Sequence, residues 1–264
     1  MRPFTSMLVK LAISTLGAGC LAVAIAPAAS AFTLVPDREG EINVGLGSSL
    51  SNDGYLDTQN LGYTVESLAF DVNRNNRTTT TQSRLFVDRA NTSNTYNGGI
   101  SFQSRDIGTS ENNGALWLRP VAMIQQGSGI LERGQLEAGL FRFNFATALR
   151  DLTLSFFDVE TRGTSVVRVN GEEVNMAIAP QGDRKTSTLS LANVRTLEVM
   201  IGNANTSGVN RNGRFGTGDG VLVSGTGTTS EDVPEPATMA SIALAAGGLS
   251  WMRRRRQQQV AEEA

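Results

Sequence analysis

Phe141-Arg142-Phe143-Asn144-Phe145 alternates apolar and polar residues without interruption. A period of two puts the three phenylalanines on one face of an extended strand and Arg142 and Asn144 on the other. A helix cannot use this pattern, because about 3.6 residues per turn would scatter the rings around its surface. Short alternating or apolar runs of the same kind recur at 41–47, 62–70, 84–88, 99–102, 115–124, 136–145, 152–160, 165–170, 173–178, 186–191, 196–202 and 220–223. Clusters of Asn, Gly, Ser, Thr and Asp separate them, as turns require. Asn170-Gly171 lies between two runs and is a strong two-residue hairpin signal. Many short strands with turns between them predict an all-β fold: a single β-sandwich domain, jelly-roll-like in its connections.

Both ends of the chain read as addresses rather than as fold. Arg2 and Lys10 flank a basic start, 11–26 is apolar and small, and Ala29-Ser30-Ala31 has the small-x-small pattern of a signal-peptidase site. Cleavage there would start the mature chain at Phe32, after passage through the secretion machinery. At the other end, Val233-Pro234-Glu235-Pro236 precedes an apolar segment, 237–252, and then Arg253-Arg254-Arg255-Arg256. The two prolines fix φ and disfavour helix in the residues before them, so this element is extended. The apolar segment would reach about 24 Å as a helix, slightly short of a bilayer core. Four arginines behind it would keep the C-terminus in the cytoplasm. The expected organisation is a signal helix at 1–31, a β domain at 32–232, a processing and transmembrane segment at 233–256, and a tail at 257–264.

Composition removes several chemistries. The chain has no histidine, so Ser-His-Asp triads and His-ligated metal are excluded. Its single cysteine, Cys20, falls in the signal segment, which leaves the mature domain without a disulfide or a thiol nucleophile. The formal net charge is −2 and the arginines of the domain are scattered, so nucleic acid is not an expected partner. Any catalysis would have to come from carboxylates.

Several acids continue apolar rows. Extending the Phe141 parity backward puts Gly139 and Glu137 on the phenylalanine face, with Gly139 a candidate bulge that would flip the parity. Leu152, Leu154 and Phe156 share a face that would continue into Asp158 and Glu160. Val221 and Val223 share one with Asp219. An inward carboxylate is costly unless it is paired or bound to metal. Were Glu137, Asp158, Glu160 and Asp219 to converge at one end of the sandwich, Ca²⁺ would be the natural guest. The alternatives are strand-end acids facing water or an arginine such as Arg142 or Arg162, and a carboxylate-pair glycan hydrolase. Asp71-Val72-Asn73-Arg74-Asn75 has the opening of a calcium loop but lacks its glycine and distal glutamate, so 71–82 reads as a solvated loop. A second loop is expected at 203–218. Thr78–Thr81 is the one threonine run in the chain, and no regular threonine array recurs along it.

The segment from Val233-Pro234-Glu235-Pro236-Ala237-Thr238-Met239 through Arg253–Arg256 closely resembles the PEP-CTERM sorting signal of Gram-negative-type bacteria. The resemblance implies recognition by an exosortase, a membrane enzyme of cysteine-transpeptidase type, with cleavage near Pro234-Glu235-Pro236. The domain resembles the LEVG group of such exported proteins. That resemblance rests on Arg133-Gly134-Gln135-Leu136-Glu137-Ala138-Gly139 before the phenylalanine strand, on Leu152 to Glu160, and on Gly218-Asp219-Gly220-Val221. Ala138 stands where the group's name motif has valine, and the group implies no activity. The expectation is a non-catalytic protein, exported across the inner membrane, anchored transiently and then released to the outer surface or an extracellular matrix. Its expected partners are the exosortase, the membrane in passing, and exopolysaccharide.

Overall fold

The structure, a computed structural model, describes residues 31–74, 77–89, 91–102, 114–126, 129–130, 136–182, 184–203 and 221–229. The described fold is all-β, with two short 3₁₀ turns at Gln59–Leu61 and Asn97–Gly99. In chain order the strands are β1 (Ala31–Thr33), β2 (Gly40–Ile42), β3 (Tyr55–Leu56), β4 (Tyr63–Leu68), β5 (Phe70–Arg74), β6 (Arg77–Thr81), β7 (Ser83–Arg89), β8 (Asn94–Thr95) and β9 (Ser101–Phe102). They continue as β10 (Leu116–Ala122), β11 (Gln125–Gln126), β12 (Gly129–Ile130), β13 (Gly139–Phe157), β14 (Ser165–Val169), β15 (Glu172–Ala177), β16 (Thr186–Ile201) and β17 (Leu222–Thr229). Eleven of them form one sheet in the order β15-β14-β16-β13-β17-β10-β7-β2-β3, with β1 added to β17 and β4 to β13.

Two long strands, β13 and β16, run antiparallel as the spine of this sheet. Their register shifts between Asn144 and Leu149, and the break divides β13 into two halves with different neighbours. The first half, with the three phenylalanines, pairs with β4 on its other side; the second half pairs with β17. An interruption of this kind bends the strand and increases its twist. Phe141, Phe143 and Phe145 from before the break and Leu149, Leu152, Leu154 and Phe156 from after it all join one buried cluster. The sheet therefore curls around a common core instead of lying flat. Phe32 meets Phe145 edge-on at 5.4 Å and Tyr63 at 5.9 Å, so the first residue of the expected mature chain is a core residue. Tyr63 is itself buried, and its hydroxyl donates to the Leu34 carbonyl at 2.5 Å. Burial pushes that phenol well above its usual range and keeps it neutral.

Several expectations change on contact with this architecture. The strands expected at 136–145 and 152–160 are one strand, β13, and those at 186–191 and 196–202 are one strand, β16. Residues 146–151 lie within β13, with Leu149 buried in the core and Ala146, Arg150 and Asp151 exposed, and they are not a turn. The segment 71–82, expected as a loop, is largely a β5–β6 hairpin, in which Thr80 donates to Asp71 at 2.7 Å. Gly139 is paired with Ile201 in register and is not a bulge. A side chain there would sit 2.5 Å from the Phe141 ring and 2.8 Å from Ser83 Cβ, which is why the position is glycine. The hairpin at Asn170-Gly171 is as expected: both residues have positive φ, 54° and 83°, as a type I′ turn needs. Of the expected signal helix at 1–31 only Ala31 is described, and it begins strand β1; the rest of that segment, the 237–252 helix and most of the loop at 203–218 lie outside the described residues.

The second face of the sheet is treated in two ways. Over β2, β7 and β10 it is covered by segments 46–51 and 91–102, which place Leu50, Tyr96, Ile100 and Phe102 against Phe86 and Val121. Where β16, β13, β17 and β1 lie side by side, two rows of outward positions carry hydroxyl side chains. Thr153 lies between Ser190 and Thr226, and Thr226 in turn pairs with Thr33; Ser155 lies between Thr188 and Ser224. Directly paired residues in an antiparallel sheet point to the same side.

Candidate functional site

The covered face is where charge is buried. On β7 the outward residues are Arg84, Phe86 and Asp88, while Leu85 and Val87 face the main core. Phe86 pairs with Glu41 on β2 and with Arg119 on β10, so a glutamate and an arginine flank one buried ring. Glu41 is fully buried and forms an ion pair with Arg84. It also accepts from Ser49 Oγ at 2.9 Å and from the Leu50 N–H at 2.5 Å. Arg84 donates in addition to the carbonyls of Ser48 at 3.0 Å and Leu46 at 2.7 Å. The pair thus fastens segment 46–51 to the sheet while satisfying most of its own hydrogen-bonding capacity, which is the condition for a tolerable buried charge.

A second cluster lies across the ring. Arg119 donates to Asp88 at 2.9 Å and to Glu137 at 2.5 Å, and its guanidinium stacks 4.2 Å from the centre of Phe102. Burial works against the arginine charge, but Glu137 and then Asp88 raise its pKa above the usual range. The Asp88 pKa is raised as well, but here burial is the cause and Arg119 opposes the shift. Asn94 bridges Asp88 to Glu39, and Glu39 accepts from the Arg89 N–H at 2.9 Å and from Thr92. These contacts pin segment 91–95 to the sheet as the first pair pins 46–51.

Of the three acidic rows expected to extend into the core, two fall on described residues, and neither continues its row. Glu137 is 12% exposed and does not join the Phe141 face that parity assigned it; it pairs with Arg119, whose neighbours Phe86 and Phe102 belong to the covered outer face. Asp158 does not continue the row of Leu152, Leu154 and Phe156. Phe157 is also buried, Asp158 takes φ of 64°, and the next buried residue is Val159, leaving Glu160 exposed. The parity breaks because β13 ends there and folds back: the Asp158 N–H donates to the Lys185 carbonyl, and its carboxylate accepts from the Arg184 N–H at 2.9 Å. Asp219 lies outside the described residues. Among the described residues no three metal-ligating side chains gather into one group.

Two clefts flank the segment that leaves β2. One, of about 590 Å³, is bounded by Leu46, Gly47, Thr80, Gln82, Arg84 and Met123. The other, of about 390 Å³, is bounded by Asn43, Tyr55, Asp57, Thr58, Gln59 and Thr64. Gly45 belongs to both. The first is neutral except for the paired Arg84, and the second holds one carboxylate, Asp57, which accepts from the Gln59 N–H at 2.8 Å and from Asn60 at 2.7 Å.

Sequence reasoning did not single out Glu41, Arg84, Asp88 or Arg119. One signal was present in Arg84-Leu85-Phe86-Val87-Asp88, whose centre is apolar at consecutive positions and so demands cover on both faces. The partners of the two charged ends come from β2 and β10, and no local pattern names them.

Of the processing residues, Ala31 and Phe32 begin β1, with Ala31 opposite Thr228. Ala29, Val233, Pro234, Glu235, Pro236 and Arg253–Arg256 lie outside the described residues. The profile of the PEP-CTERM protein-sorting motif matches residues 232–256. No curated protein and no solved structure matches the chain. The matched motif implies an exported protein that an exosortase sorts, with a C-terminal anchor.

Proposed function

We propose that this protein is a non-catalytic component of the outer cell surface or extracellular matrix, a polysaccharide-associated β-sandwich of the LEVG kind released there by exosortase. The sorting-motif match at 232–256 is the observation that carries the reading. The domain supports it. Its buried acids at Glu41, Asp88 and Glu137 are engaged by arginines that fasten surface segments, a structural use of charge. In this reading the signal segment is removed before Phe32 and the arginine-flanked helix holds the chain in the inner membrane only until cleavage near Pro234-Glu235-Pro236.

Mass spectrometry of the protein released from the cell surface tests the processing. The expected product begins at Phe32 and ends close to Pro236. A surface form that retains Arg253–Arg256 would rule out exosortase release. Fractionation of the extracellular matrix tests the location, and recovery of the chain only in the cytoplasm would rule out the whole reading.

A further inference from the structure

Hydroxyl side chains form a grid on the outer face of β16, β13, β17 and β1. One row runs Ser190, Thr153, Thr226, Thr33 across the four strands, and the next runs Thr188, Ser155, Ser224 across three. Thr228 follows in the third row beside Asp151, to which it donates. Ser190, Thr188, Thr226 and Thr33 are exposed, and Thr153, Ser155, Ser224 and Thr228 are partly so. Beneath them Leu152, Leu154, Phe156 and Val223 are buried, so the surface rests on packed core. Neighbouring hydroxyls are spaced by about 4.8 Å across strands and about 7 Å along them. Most of this polarity faces outward; within the grid, Thr153 and Ser190 share a hydrogen bond of 3.2 Å. One edge is bordered by an aromatic pair with ring centres 5.7 Å apart, the partly exposed Trp117, whose indole nitrogen is buried, and the buried Phe157.

We infer that this hydroxyl face, with Trp117 at its border, is a docking surface for a neutral polysaccharide chain. The proposal rests on the reading of the protein as exported and polysaccharide-associated, and names the surface and polymer class. Three observations choose the occupant. The only charge within the rows, Asp151, is engaged by Arg150 at 3.1 Å and by Thr228, so the rows themselves carry no cation for an acidic glycan and little apolar area for a protein. Serine and threonine hydroxyls both donate and accept, which matches a polymer whose own groups are hydroxyls, and an indole can cover the apolar face of a sugar ring. Finally, β17 ends at Thr229 and the sorting motif begins at 232, so the grid lies within a few residues of the point where the chain is attached and released. An ice lattice is the other occupant a hydroxyl grid could take. Adjacent strands twist by roughly 20–25°, a surface that a flexible polymer follows and a rigid crystal plane does not.

The test uses the processed chain recovered from cells, with amorphous cellulose, insoluble β-1,3-glucan and starch as neutral probes and alginate as the anionic one. Retention on at least one neutral polymer is expected, insensitive to salt between about 50 and about 500 mM, because no charge is used. The double variant Thr153→Val with Thr226→Val keeps side-chain shape and removes two central hydroxyls, and Ser190→Lys places a long cation on the same row. Each should weaken retention about tenfold or more, equivalent to about 1.4 kcal/mol, with an unchanged melting temperature. Thr79→Val, on the separate β6 hairpin, should bind as the parent does. Equal binding by parent and grid variants, salt-abolished binding, or absence from every neutral polymer overturns the inference. Thermal hysteresis without polymer binding overturns it in favour of ice. If these variants remain in the matrix fraction as the parent does, the docking face is wrong and the exported, matrix-associated reading stands. If the parent itself never reaches the matrix, that reading fails first.

Discussion

The sheet has two outward regions built to opposite specifications. Over β2, β7 and β10 the outer face is covered, and it holds Glu41, Arg84, Asp88 and Arg119 at 8% exposure or less. Over β16, β13, β17 and β1 the outer face is open, and its rows are serine and threonine. Charge is buried where loops cover the sheet, the open rows through Thr153 and Ser155 carry neutral hydroxyls, and farther along β13 Arg142 pairs with Glu66 and Glu198. The reason is what each group is for. A buried ion pair contributes little net stability, because desolvation offsets its attraction, but it penalises any arrangement that leaves one partner alone. It therefore fixes where segments 46–51 and 91–102 sit. An exposed hydroxyl is satisfied by water in the free protein and needs no partner, so an open face of hydroxyls is stable and remains available to a ligand.

The comparison breaks first at Arg119. Arg119→Met keeps much of the volume but leaves Asp88 and Glu137 facing each other in a buried site, which should cost about 3–5 kcal/mol. Urea unfolding measures it, and a loss below about 1 kcal/mol would mean that water reaches the covered face. Next comes Gly227 in β17, beneath the open face. A side chain there would lie 2.2 Å from the Asp151 carbonyl, a backbone atom that cannot swing away. Gly227→Ala should cost about 1–3 kcal/mol by forcing the backbone to shift. A neutral result would show that β17 moves freely against β13.

Acid titration sharpens the contrast. Burial holds the Asp88 carboxyl above its ordinary value of 3.8. The folded state then binds this proton more tightly than the unfolded chain. The resulting stability is fully present below the unfolded value and is lost as pH rises through the folded one. The stability of the parent relative to Asp88→Asn should therefore decline as pH rises from 3.8, and unfolding curves at a series of pH values would show it. A difference that grows with pH would mean that Arg119 outweighs burial. The smallest effect is expected at the exposed Arg142–Glu66 pair, which is open to solvent on both sides. Glu66→Ala should change stability by less than about 1 kcal/mol, within the range of surface ion pairs. A larger loss in a thermal melt would show that Glu198, which also binds Arg142, depends on Glu66 for its position.

Much of the strand content was legible because each signal is local. Phe141 to Phe145 alternates and is buried on alternate positions; Asn170-Gly171 turns as its φ preferences require. Less legible were the joins. Residues 146–151 and 192–195 read as breaks, yet β13 and β16 pass through them, since each stretch is held by a neighbouring strand that local pattern cannot supply. The same limit governed the acids. Parity placed Glu137 on the Phe141 face, yet it pairs with Arg119 on the covered outer face, and Asp158 lost its parity to a left-handed residue at the end of a strand.

By itself the sequence determined the period of the strands, the exclusion of histidine chemistry, and the C-terminal sorting motif. Each is a property of neighbouring residues or of composition, and needs no fold to be expressed. Only the tertiary structure decided that Glu41 meets Arg84 across 43 positions and that Arg119 joins Asp88 to Glu137. It alone placed Thr153, Ser190, Thr226 and Thr33 in one row. Along the chain these hydroxyls are single residues in separate strands. They become a surface because antiparallel pairing turns paired side chains to the same side, a relation set by register between distant segments.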